Sequence, residues 1–195
     1  PYTFGTKWPM IPTFRKAPSG FPMKRRAQVS ILLASTFAVA QIHAQQVCPS
    51  GNRLVAPDNR YSVDVDGVVR DSQTRLFWKQ CSEGQSGPGC AGTAAVLNWQ
   101  MALTAASISS FAGFSDWRLP NRNELLSLME SGCFDPAINQ TRFPNTSMLP
   151  IWSSTSYVGS ASDAWAWAMD IRTGALFGDA KDSIVKLTNE VKAVD

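Results

Sequence analysis

Two carboxylates and a guanidinium, Asp116, Arg118 and Glu124, fall in one short stretch, Phe114-Ser115-Asp116-Trp117-Arg118-Leu119-Pro120-Asn121-Arg122-Asn123-Glu124-Leu125. A carboxylate pair is what glycoside hydrolysis uses, one group giving a proton and the other attacking or activating water. The same residues also have a complete structural use. Asn121 is a good helix N-cap, and Glu124, three positions on, is placed to reach back to the free N–H of the cap. Asp116 and Arg118 alternate with Trp117 and Leu119, as in a strand with one polar and one apolar side. A strand-to-helix bend between Asp116 and Glu124 works against a shared catalytic cleft. We therefore read Asp116, Trp117, Arg118, Pro120 and Glu124 as a structural joint, with Arg118 tying strand to helix.

Other nucleophilic chemistry lacks a base. Ser153, Ser154 and Thr155 offer hydroxyls, but the only histidine of the chain is His43. That residue lies in a segment expected to be removed, so no Ser-His or Cys-His pair and no His metal ligand remain. No catalytic residue, metal or cofactor is assigned, and the expectation is a protein that is not an enzyme. Tryptophan stacks on sugar rings, and Trp78, Trp99, Trp117, Trp152, Trp165 and Trp167 are many for one domain. Each sits on an apolar strand or helix face, so at least four are expected in the core. A ligand surface is then sought on the long loops 139–150 and 156–163, where Arg142, Asn145, Tyr157 and Asp163 are the candidates.

The elements that must position these groups start after a leader. Met23-Lys24-Arg25-Arg26, the apolar run Val29 to Ala40 and the small-residue exit at Ala44 have the three parts of a secretory signal peptide over 23–44. Residues 1–22 read as unstructured upstream sequence. The apolar run is too short to serve as a stop-transfer helix, so no transmembrane anchor is expected after cleavage. Six of the 18 Lys+Arg and none of the 15 Asp+Glu lie in 1–44, which turns a net charge of +3 into 12 − 15 = −3 for the remainder. That balance gives no support to a nucleic-acid partner. The expected location is secreted, periplasmic or at the cell surface.

All four cysteines, Cys48, Cys81, Cys90 and Cys133, follow the leader. An even number in an exported chain predicts two disulfides, and three connectivities are open. We prefer Cys81–Cys90, closing a Gly-rich loop, and Cys48–Cys133, tying down the N-terminus. Residues 45–59 read as an extended lead-in. Tyr61 to Asp71 alternates on either side of Asp66-Gly67, which predicts a two-residue hairpin turn in preference to a calcium loop. Thr74 to Lys79 is a further strand. Helical spacing over 94–110 puts Trp99, Leu103 and Ala106 on one stripe with Ala102 beside it, and Asn98 as a possible cap. A second helix is expected from about Arg122 to Ser131, burying Leu125, Leu128 and Met129 and stopped by Gly132. Strands are predicted at 151–155, 164–171 and 175–177, with a last one at 184–187 and a tail over 188–195. In 164–171, Trp165, Trp167, Met169 and Ile171 share one face and Ala164, Ala166 and Ala168 the other. Short strands around two helices in no βαβ order mean α+β with mainly antiparallel sheets.

Taken in order, Asp66-Gly67…Asp71…Thr74-x-Leu76-x-Trp78-Lys79, Trp99…Ala102-Leu103, Gly113 to Asn121 with Glu124-Leu125, Cys133…Pro136-Ala137-Ile138-Asn139, Phe143-Pro144-Asn145-Thr146, Trp152-Ser153-Ser154 and Ala164-Trp165 form a pattern. It resembles the Lcl C-terminal domain family, bacterial and mostly exported, over about residues 60–187. The resemblance implies a C-type-lectin-like fold, by analogy with formylglycine-generating enzymes, which share an Arg-Leu-Pro-x-x-x-Glu segment. It also implies a binding role, since the collagen-like adhesin that names the family is associated with sulfated polysaccharide. Where relatives tend to end in a Val-Arg-Leu-Val-Arg-like strand, this chain has Val185-Lys186-Leu187-Thr188-Asn189. The expected function is thus an exported, non-enzymatic domain whose partner is a polysaccharide or a cell-surface protein. The alternatives are a carbohydrate-active or formylglycine-generator-like enzyme, the latter needing free cysteine thiolates for copper, or a structural part of a surface appendage.

Overall fold

The computed structural model describes residues 45–159, 163–184 and 191–193. The leader over 23–44, the segment before it and the strand expected over 185–187 lie outside the described residues. Among those described, two α-helices and two antiparallel sheets make an α+β fold.

The first sheet has strands β1 (Tyr61–Val63), β2 (Val68–Asp71), β3 (Leu76–Lys79) and β7 (Val191–Ala193), in the order β1-β2-β3-β7. β1 and β2 pair as a hairpin, with Tyr61 opposite Asp71 and Val63 opposite Val69, one residue out of the register that a two-residue Asp66-Gly67 turn would set. The turn differs from the two-residue expectation. Gly67 N–H donates to Asp64 O at 3.1 Å, Asp64 N–H donates to Val68 O at 3.1 Å, and Gly67 sits at φ 83°. The loop is therefore three residues long, with glycine in the left-handed position that closes such turns. The Asp64 carboxylate explains the extra residue, because its Oδ1 accepts from both Asp66 N–H and Val68 N–H and so holds the longer turn.

β7 lies in the stretch 188–195, where the sequence predicts a tail. It pairs with β3 on one side, Trp78 opposite Val191, and Val191 exchanges both backbone hydrogen bonds with Arg118 on the other. The strand expected around Trp117 is thus a single bridge to β7. Three residues carry too little hydrophobic pattern to announce a strand, and this one exists because it fills a gap between two other segments.

The second sheet is β4 (Ile151–Ser156), β5 (Trp165–Met169) and β6 (Leu176–Ala180), in that order. Helix α1 (Trp99–Ser107) starts at Asn98, whose side chain accepts from Met101 N–H. It buries Ala102 and Ala106 against Leu119, Trp152, Ala166 and Ala168. The alanines of β5 are therefore a contact face, because side chains this short let a helix pack close to the sheet. Two indole N–H groups fasten the helix end to β4, Trp152 to Leu97 O and Trp99 to Ser153 O.

Helix α2 (Arg122–Leu128) has the full capping box: Asn121 Oδ1 accepts from Asn123 N–H and Glu124 N–H, while Glu124 takes the Asn121 N–H. It ends earlier than expected, since Met129 turns extended and bridges to Ile138. Leu125, Leu128 and Met129 are buried as predicted, in the larger core with Trp78, Phe143, Ile151, Met169, Ile171 and Val191. That core takes in residues of both sheets and of α2. The disulfides are Cys48–Cys133 and Cys81–Cys90, the preferred pairing.

Candidate functional site

The joint residues separate into two ion pairs. Arg118 lays both guanidinium nitrogens on Glu124, Nη1 to Oε2 at 2.8 Å and Nη2 to Oε1 at 2.7 Å. The same Oε2 accepts the Asn121 N–H at 2.7 Å. Burial would raise the Glu124 pKa, but the hydrogen bonds from Arg118 and Asn121 outweigh it and hold the carboxyl below its ordinary value. A carboxylate held ionised by three donors is a poor general acid. Asp116 turns away to the Lys192 ammonium at 3.2 Å. Lys192 is only 1% exposed, and its Nζ lies over the rings of Phe114 and Phe77, at 4.5 and 5.2 Å. Trp117 is buried, its indole N–H donating to Phe111 O. Two carboxylates with separate cationic partners do not form an acid-base pair.

The joint does position something else. Pro120 O accepts from Ser154 N–H at 2.7 Å, and Arg122 N–H donates to Thr155 Oγ1 at 3.1 Å. These bonds seat the start of α2 on β4 and place the Arg122 guanidinium 5.4 Å from the ring centre of Trp167. In the β5–β6 register Trp165 faces Ala180 and Trp167 faces Gly178, on the side of the sheet away from Ala166 and Ala168. Tyr157, just after β4, packs on both indoles, with ring centres 4.7 Å from Trp167 and 6.4 Å from Trp165. Its ring lies over Gly178, where an added Cβ would come within 2.8 Å of it. Glycine at 178 therefore provides the space that lets three aromatic rings gather.

Trp165 is 38% exposed, and Tyr157 and Trp167 are half-buried. The far end of the same face is closed, since Met169 is fully buried. The result is an aromatic patch with an exposed guanidinium at its edge. Of the six tryptophans after the leader, Trp78, Trp117 and Trp152 are buried, and Trp99 packs half-buried against the smaller core. Trp165 and Trp167 are the two that face outward.

The four loop candidates end in two places. Tyr157 belongs to the aromatic patch, and Asp163 is exposed, its carbonyl accepting from Lys181 Nζ. Arg142 and Asn145 lie elsewhere and serve the backbone. Arg142 O accepts from Gln80 Nε2 at 3.0 Å, and Asn145 O from Gln85 Nε2 at 3.1 Å. Asn145 Nδ2 donates to Cys90 O, so this loop braces the small disulfide loop. Sequence reasoning missed Arg122, Gly178, Gln80 and Gln85. Only Arg122 carried a signal, as the first residue of a helix whose cap was already recognised.

No helix among the described residues is long and apolar enough to cross a membrane. A comparison with curated proteins finds no similar sequence. The family model of the Lcl C-terminal domain matches residues 67–189, which takes in the hairpin glycine, both helices and all three strands of the second sheet. With most of its length matched and the joint, helices and sheets in place, the chain belongs to the Lcl C-terminal domain family.

Proposed function

We propose that this protein is an exported, non-enzymatic binding domain that recognises a glycan through Tyr157, Trp165 and Trp167. The observation that carries this reading is the gathering of three aromatic rings on one open sheet face, beside the Arg122 guanidinium. Aromatic faces match the C–H faces of sugar rings, and their rigidity keeps the entropy cost of contact low. A guanidinium at the edge supplies paired donors for a hydroxyl or for an acidic substituent. Export follows from the leader read over 23–44 and agrees with two disulfides, which persist in oxidising compartments.

The enzymatic alternatives have less support. All four cysteines are paired, leaving no thiolates for copper chemistry of the formylglycine-generating kind. Asp116 and Glu124 are each committed to a cation. A glycan array probed with the purified protein tests the proposal. The expected result is binding to a restricted set of sugars, lost in Trp165→Ala and Trp167→Ala and weakened in Arg122→Gln. Retained binding in both tryptophan variants, with unchanged melting temperatures, would overturn it.

A further inference from the structure

The arm that leads into the domain is anchored from Gln46 onward. Gln46 Nε2 donates to Pro136 O at 2.9 Å and to Ile138 O at 2.8 Å. Val47 exchanges both backbone hydrogen bonds with Phe134, each at 2.9 Å, and Cys48 is bonded to Cys133. Gln45 is different. It is exposed, and neither its backbone nor its side chain has a hydrogen-bond partner among the described residues. The anchoring therefore stops one residue short of Ala44, the small-residue exit of the leader read over 23–44.

Cleavage at that exit leaves Gln45 as the first residue. An N-terminal glutamine carries a nucleophile and an acyl group in the same residue, and the two can close a lactam ring. The neutral α-amine is the attacking form, and with a pKa of about 7.7–8.0 a good share of it is neutral near physiological pH. The α-nitrogen bonds to Cδ, the bond from Cδ to Nε2 breaks, and Nε2 leaves as ammonia with the proton that the amine gives up. No oxidant and no second substrate enters. The same reaction at Gln46 would first have to break the two hydrogen bonds that hold its amide on Pro136 O and Ile138 O.

We infer that Gln45 is a modification site, cyclised to pyroglutamate once the leader is removed. The inference rests on the export reading given above. Its consequence is a sealed end. Chain termini fray and are trimmed unless tied down, and here the disulfide, the Val47 bridge and the Gln46 amide secure everything after Gln45. The lactam removes the α-amine that an aminopeptidase would grip, and the terminal positive charge with it.

The test is to express the full chain with its leader in a bacterium, recover the exported fraction and weigh it intact under non-reducing conditions. The expected mass is that of residues 45–195 with both disulfides, less one ammonia. Gln45→Ser should give the same start with a free amine. A chain that keeps its leader would overturn the export reading and the inference together. A start at any other residue, or a Gln45 that keeps its amine after prolonged incubation at about pH 8, would overturn the inference alone. Deletion of Gln45, which joins the exit directly to Gln46, tests the structural basis. In the folded chain Gln46 should cyclise roughly tenfold or more slowly than in the reduced chain in urea, because its amide is held. Equal rates in the two states would overturn the anchoring on which the assignment stands.

Discussion

Replacing Asp71 by alanine removes the most enclosed ion pair among the described residues. Arg60 Nε donates to Asp71 Oδ1 at 2.7 Å, and Arg60 Nη2 meets Oδ2 closely. The side chains are 8% and 0% exposed, so water does not screen the pair. The carboxylate also accepts from Gln73 N–H and from Thr74 N–H and Oγ, holding the β2–β3 turn. Truncating it strands a guanidinium in a dry site, a loss of about 3–5 kcal/mol. Against a total of about 5–15 kcal/mol for a domain, that is a large share. At about 2–4 °C per kcal/mol, the melting temperature should fall by roughly 6–20 °C. Urea unfolding followed by tryptophan fluorescence, under non-reducing conditions, measures it directly. The double variant Arg60→Met/Asp71→Leu should recover more than half of the loss, since an apolar pair leaves no stranded charge. The pH dependence has a defined sign. Burial would raise the Asp71 pKa, but hydrogen bonds from Arg60, Thr74 and Gln73 bring it below the ordinary carboxylate value. Its contribution is present above the unfolded-state value of about 3.9 and is lost as pH falls through the lower folded value. Asp71→Ala should therefore flatten the acid limb of the stability curve. A loss under about 1 kcal/mol in the single variant, or no recovery in the double, would refute the reasoning.

Three further outcomes follow from the structure. Glu124→Ala removes half of the capping box and the partner of a partly exposed Arg118, so urea unfolding should show a loss of about 1–2 kcal/mol, with no loss counting against the joint. The chain-entropy relation gives roughly 4.6 kcal/mol for Cys48–Cys133, 85 residues apart, and about 2.7 kcal/mol for Cys81–Cys90, nine apart. Paired Cys→Ser variants compared by thermal melting should keep that order. Gly178→Val pushes the Tyr157 ring off β6, so it should shift the emission of Trp165 and Trp167 and reduce glycan binding, for about 1–3 kcal/mol of stability. Unchanged emission would mean that Tyr157 does not rest there.

The sequence by itself determined what near neighbours decide. The capping box of Asn121 and Glu124 spans three residues, Asn98 caps α1 over the same distance, and the β1–β2 hairpin, though not its register, follows from short-range alternation around Asp66-Gly67. Backbone geometry enforces contacts of this kind wherever the residue types occur in that order. Tertiary structure decided what depends on partners far along the chain. Gln80 and Gln85 find Arg142 and Asn145 at separations of 62 and 60 residues, and nothing local to either glutamine marks its partner. The alternation in β5 sorted alanines from tryptophans, but only the docking of α1 settled that the alanines face inward and leave Trp165 and Trp167 outside. β7 is the clearest case. Val191–Ala193 has no periodicity of its own, and it is a strand because β3 and Arg118 offer unpaired backbone groups on either side of it.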